Sequence, residues 1–325
     1  MTAADRRSLA AFAAASILFG GTFVAAKGGL SYFPPLLFVA LRFDVAAVAL
    51  LGYAAFTTPR SELVPRTRSD AVGILATGLL SIGLTNALLF VGQGYTTSAA
   101  AAIVFSLNPI LTPVFAALLL TDEHLSLRGV VGMALGFVGV ALVVNPDPAT
   151  LLSGGIGEAL LLTGALSGAL GSVLIRRAGG DLSSTVRTAW GLPFGALLAH
   201  GLSLTAGESV GAITWTPEAV LALGYVSLLA GAVAYIAYFG LLDAAGAIRA
   251  NLVFYAVPVV AALGGWALLG ETISTLAVGG FLTIFVGFAV IGSESVDLPT
   301  IRERVVTRDT DRIDTAEEPR GFEAD

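Results

Sequence analysis

The sequence predicts an all-α polytopic membrane protein, with ten transmembrane helices arranged as two inverted five-helix repeats. Three observations carry this expectation. Of 325 residues, 56% are apolar and only 12% charged, whereas a soluble domain carries about 25% charged residues. The apolar residues gather into ten runs, each near the roughly 20 residues that cross a hydrocarbon core. The second half of the chain also restates the first, and a period of this size sets the architecture.

The runs lie at about 9–26, 34–56, 70–93, 97–120, 126–144, 155–175, 184–206, 217–241, 247–269 and 275–292. Turn chemistry separates them. Pro34-Pro35 opens the second run, and Pro59 and Pro65 flank a polar loop. Asn145-Pro146-Asp147-Pro148 divides the fifth from the sixth, and Pro217 opens the eighth. Ser126 and Ser274 stand where N-caps of the fifth and tenth helices belong. The links between runs three and four, and eight and nine, are very short.

The duplication is explicit. Asn108–Ser126 and Val257–Ser274 each place a proline near the start of an apolar run and a Glu three residues before a Ser. An offset of 148 sets Glu123 on Glu271, Ser126 on Ser274, Gly132 on Gly280, Phe137 on Phe285 and Gly139 on Gly287. An offset of 149 sets Ala101 on Ala250, Phe105 on Phe254 and Pro109 on Pro258. Residues 1–148 form the first repeat, 149–292 the second, and 293–325 an acidic tail expected to be disordered and cytoplasmic.

Lys and Arg set the orientation. With the N-terminus in the cytoplasm, fifteen of the seventeen fall on the inner side. Lys27 sits at the outer end of helix one and Arg42 inside helix two. Both termini are then cytoplasmic, and the five-helix halves enter the membrane from opposite sides. That is the architecture of many secondary transporters.

Composition also excludes. There is no cysteine, hence no disulfide and no thiolate metal site. With two histidines and no H-E-x-x-H, neither a metal nor a cofactor is expected. A net charge of −6 argues against a nucleic-acid partner. The expected partners are a small-molecule substrate and the lipid bilayer. Gly132-x-x-x-Gly136, Gly164-x-x-x-Gly168 and Gly191-x-x-x-Gly195 suit close helix packing, chiefly internal, and leave room for a homodimer.

Four pieces stand out: Gly20-Gly21-Thr22-Phe23-Val24-Ala25-Ala26-Lys27, Pro34-Pro35-Leu36-Leu37-Phe38-Val39-Ala40-Leu41-Arg42-Phe43, Asn108-Pro109 with Leu120-Thr121-Asp122-Glu123, and Pro258 with Leu269-Gly270-Glu271. Together they resemble the EamA family of the drug/metabolite transporter superfamily. The resemblance spans about residues 9–292. It departs at Thr121-Asp122-Glu123, where the family has a Gly before the Glu. It implies a ten-helix carrier of the plasma membrane, commonly an exporter of amino acids or other small metabolites.

Candidate site residues follow from cost. Arg42 lies roughly 12 Å below the outer end of helix two, at 1.5 Å per residue. An arginine at that depth needs a wet cavity or a partner. It either contacts an anion such as a substrate carboxylate, pairs internally with Asp44, or snorkels outward. Asn108, directly before Pro109, marks a helix break, which in a carrier lines the solute site. The rival reading is a packing kink. Asn86 shares that status. Tyr235, Tyr238, Asn251 and Tyr255 offer hydroxyls and an amide to an amphipathic solute, Tyr255 from the greatest depth. Trp190 is a substrate candidate whose rival reading, an interfacial aromatic belt, is the stronger. Lys27 and Thr22 are placed at the cavity mouth, Lys27 alternatively as an interfacial anchor. His200 is a candidate coupling-proton carrier set against a structural histidine.

The expected function is efflux of a small organic metabolite by alternating access. There is no Walker loop, so the chain is not an ATPase by itself, and no catalytic residue is assigned. Gly207-Glu208-Ser209-Val210-Gly211 matches G-x-S-x-G but lies in a loop between membrane helices, not between strand and helix. Two rival classes are an intramembrane enzyme, which requires clustered nucleophiles or acids, and a receptor or scaffold, which predicts no flux.

Overall fold

The computed structural model describes residues 3–120, 127–144, 155–238, 241 and 253–292. Glu123, His124, Ser126, Asn251, the acidic tail and the side chain of Tyr255 lie outside the described residues. Among the described residues the regular elements are helices, with no strand. They are α1 (Ala3–Gly29), α2 (Pro35–Thr57), α3 (Arg68–Gln93), α4 (Ser98–Leu119) and α5 (Leu127–Val144). The series continues with α6 (Ile156–Ala178), α7 (Ser184–Thr205), α8 (Pro217–Tyr238), α9 (Val253–Leu269) and α10 (Thr275–Gly292). Six are long and apolar enough to cross a membrane: α1 from Ser8 on, α2, α3, α4, α6 and α8.

Local chemistry sets the boundaries. Pro35 and Pro217 begin α2 and α8, where a missing N–H costs nothing. Thr67 caps α3 in a full capping box with Asp70. Thr97, Ser183, Thr216 and Ser274 each accept an amide hydrogen in the first turn of their helix. α4 is broken at Ser106–Leu107, between Ser98–Phe105 and Asn108–Leu119. That is where Asn108-Pro109 removes a backbone donor. Gly270 takes φ 68°, and the Glu271 amide donates back to the Gly265 carbonyl at 3.1 Å. This left-handed closure ends α9 and needs a glycine.

The packing is paired. α5 lies on α10 and α2 on α7; α1 packs on α9 and α4 on α6; α3 contacts α6 and α7, and α8 contacts α1 and α2. Exchanging each helix with the one five places on carries this set of pairs onto itself. Two finer details obey the same exchange. π-Helical turns occupy Ala76–Leu84 in α3 and Tyr225–Val233 in α8, an offset of 149 at both boundaries. The capping residues Thr67 and Thr216 share that offset. In the α5–α10 seam, Gly139 faces the Gly280 carbonyl and Gly287 faces the Gly132 carbonyl. Those contacts are mates at an offset of 148.

A Cβ on Gly139 meets Ile284 Cγ1 at 2.5 Å and the Gly280 oxygen at 2.6 Å, while a Cβ on Gly279 meets nothing within 4 Å. Gly139→Ala is therefore expected to destabilise by about 1–3 kcal/mol through overpacking. Gly279→Ala is expected to be neutral or to gain up to about 1 kcal/mol of helix propensity. Thermal unfolding of the two detergent-purified variants measures the difference.

Candidate functional site

The site is built from two facing stripes. On α2, Phe38 and Arg42 are one turn apart; on the antiparallel α3, Asn86 and Phe90 are one turn apart. Residues at i and i+4 share a helix face, so the two pairs meet. Phe38 and Phe90 pack edge to face with centroids 5.3 Å apart. Arg42 Nη1 donates to Asn86 Oδ1 at 3.2 Å, and Asn86 Nδ2 donates to the Ile82 carbonyl at 2.8 Å. The guanidinium also lies over the rings of Phe43 and Phe90, 5.1 and 5.2 Å from their centroids. Such cation–π contacts partly replace hydration.

Arg42 is only 4% exposed, and its Nε has no hydrogen-bond partner among the described residues. Buried polar atoms in native proteins are nearly always bonded. This fork is set up for a planar anion: a guanidinium can give a carboxylate two parallel N–H bonds. Tyr235 of α8 lies within electrostatic reach of Arg42. Arg42, Asn86 and Tyr235 are thus brought together from three helices. The Arg42–Asp44 pair is not formed, because Asp44 turns to His200 instead.

Aromatic groups close the site on two sides. Phe38 and Phe90, with Phe33 stacked on Phe38 and Trp215 edge to face with Phe33, cover it toward the Lys27 end of the bundle. Phe19, Tyr235, Tyr238 and Phe254 form a second cluster toward the opposite end.

The Lys27 end is bolted by polar contacts. Lys27 Nζ donates to the Gln93 carbonyl at 2.8 Å, and Gln93 Nε2 donates to the Phe23 carbonyl. Glu271 accepts from the Ser98 amide at 3.0 Å with both oxygens, capping α4. Glu208 accepts from the amides of Leu36 and Leu37 at 3.1 and 2.7 Å, capping α2, and from Ser203 Oγ at 2.8 Å. Carboxylates at helix N-termini are favoured by free amides and by the helix dipole. At the far end Asp70 does similar work, accepting from the Asp181 amide just before α7.

Other predicted residues go elsewhere. Asn108 Nδ2 occupies the space that a Cβ on Gly168 would need, against α6. Trp190 Nε1 donates to the Leu63 carbonyl at 2.8 Å, tying α7 to the loop after α2. Thr22 Oγ1 bonds within its own helix, to the Leu18 carbonyl. In the G-x-S-x-G stretch, Glu208 caps α2 and Ser209 caps a short turn by accepting from the Gly211 amide. The residues that sequence reasoning did not single out are Phe38, Phe90, Phe43 and the capping carboxylates. The signal for the first two was available, as i+4 neighbours of Arg42 and Asn86.

A buried, part-satisfied cation inside an apolar helical bundle is the kind of group that marks a substrate or ion pathway in membrane proteins. The chain matches the EamA-like transporter family model twice, over residues 6–145 and 155–293. It belongs to that family. The uncharacterized transporter YyaM of Bacillus subtilis is 31% identical over 278 residues, covering 84% of this chain and 89% of that one. The uncharacterized inner membrane transporter YedA of Escherichia coli K12 is 30% identical, covering 80% and 82%. A solved crystal structure has the same fold, with a TM-score of 0.61 at 21% identity, over 88% of this chain and 96% of that one.

Glu271→Ala leaves the Ser98 amide at the start of α4 without its carboxylate acceptor, while the Thr97 cap remains. The expected cost is about 1 kcal/mol, read as a lower melting temperature. Glu271→Gln, which keeps an acceptor oxygen, should retain part of that stability.

Proposed function

We propose that the protein is a secondary transporter that moves a small organic solute bearing a carboxylate, amino acid-like or amphipathic, outward across the cytoplasmic membrane. It works by alternating access of two inverted five-helix repeats, with both termini cytoplasmic and the Lys27 end outside. The observation that carries this reading is Arg42: a membrane-buried guanidinium with one hydrogen bond and a free Nε. Ionisable groups inside a span are functional by default.

The rest of the reading follows from arrangement. The solute's carboxylate lies on Arg42 and Asn86. Its apolar part lies among Phe43, Phe90 and Tyr235. The Phe38–Phe90 pair and the Lys27 end serve as the outer gate, and the Phe19–Tyr235–Tyr238–Phe254 cluster as the inner one. Two halves related by exchange give two conformations of similar energy, and the cavity opens to one side in each. Trp190, His200 and Asn108 lie outside the solute contact set.

The test is solute flux in proteoliposomes, using a panel of amino acids, aromatic carboxylates and cationic amphiphiles. Saturable flux of carboxylate-bearing solutes is expected. Arg42→Ala should abolish it with folding retained, and Arg42→Lys should lower it by about tenfold, because an ammonium lacks the planar fork. Saturable flux of the cationic amphiphiles alone, unaltered in Arg42→Ala, contradicts the assignment.

A further inference from the structure

We propose that Asp44 and His200 form an intramembrane proton-binding site, separate from the Arg42 site, whose protonation drives transport. His200 Nε2 lies 2.9 Å from Asp44 Oδ2, joining α7 to α2. Asp44 sits in the middle of the apolar span Pro35–Thr57. Both side chains are open, at 40% and 48% exposure, on the exterior of the bundle. Around them the exposed residues of the same helices are Val45, Val48, Leu197 and Leu204. Beside His200, Gly201 faces open space. A polar pair is therefore set into an apolar outer face, reachable from outside without passing the aromatic covers of the solute site.

A lone ionised carboxylate there is costly. With His200 protonated, the pair is a neutral imidazolium–carboxylate; on release of one proton to water it becomes imidazole–carboxylate, with net charge −1. One proton thus switches the charge of the α2–α7 seam. Histidine is the side chain suited to that switch near neutral pH. The seam joins two helices that are counterparts in the two repeats, so its charge bears on how the halves sit together.

Neighbouring ionisable groups are committed elsewhere. Arg42 points to Asn86, Glu208 to the start of α2, Asp70 to the start of α7, and Arg187 to Ser184. From α8, Tyr225 turns onto the carbonyls of α1, and Tyr235 lies toward Arg42.

The linkage to flux rests on the transporter reading; proton binding does not, and the experiment separates them. The full chain, labelled with ¹⁵N-histidine in nanodiscs, is titrated without any solute. Only His124 and His200 give signals, and His200→Gln assigns them. The His200 resonance is expected to respond to pH. Asp44→Asn should displace its curve toward acid, since an adjacent carboxylate favours the charged imidazole. Asp44→Glu should restore it. An unchanged curve in Asp44→Asn overturns the site.

In proteoliposomes, amino-acid counterflow should survive in Asp44→Asn while accumulation driven by a pH gradient is lost. Accumulation that persists in Asp44→Asn overturns the coupling. Retained counterflow also shows that the variant is folded.

Discussion

The structure turns on the cost of holding Arg42 inside an apolar bundle. A guanidinium with 4% exposure must find partners or a ligand. The chain gives it one amide oxygen and two aromatic faces. This is partial compensation. Among the described residues it leaves the Nε donor free. A fully satisfied arginine would only cross-link α2 to α3. In the proposed reading, the free donor is what an anionic solute meets.

Around that centre, the packing follows one exchange rule. The reciprocal glycines of α5 and α10, the π-turns of α3 and α8, and the caps Thr67 and Thr216 each occur as mates. π-Turns are rare and tend to lie at functional sites. Here they lie in α3, which supplies Asn86, and in α8, which supplies Tyr235, one segment ending just before each residue. A π-turn leaves the following turns rotated relative to an ideal helix. The exchange is imperfect where chemistry differs. Glu208, in the loop after α7, caps α2, whereas α7 is capped by its own Ser183, and Asp70 of α3 holds the Asp181 amide ahead of it.

Much of this was legible in the sequence. Apolar runs, prolines and hydroxyl caps located the helices because each acts within a few residues. The depth of Arg42 was legible because a charge in a span is conspicuous. Glu271 was visible only as the repeat mate of Glu123; that Gly270 turns left-handed and brings the carboxylate onto Ser98 is seen in the fold. The partners were not legible. Arg42 had a closer candidate in Asp44, and only the fold shows that Asp44 belongs to His200 and Arg42 to Asn86. Trp190 was read as belt or substrate contact, and its indole proved to hold a loop carbonyl. The π-turns left no mark in the sequence pattern; at that level Gly78 packs against Gly191.

The central claim is reciprocal opening of the two ends. The chain has no cysteine, so spin labels can be placed singly by substitution. Tyr95→Cys with Thr272→Cys spans the Lys27 end, and Leu9→Cys with Leu118→Cys spans the other. Double electron–electron resonance on each pair, in liposomes with and without a transported solute, measures both distances. The account predicts that a population with the Lys27 end lengthened has the opposite end shortened, and that solute shifts the two pairs in opposite directions. Distances that stay fixed, or that lengthen together at both ends, would contradict alternating access.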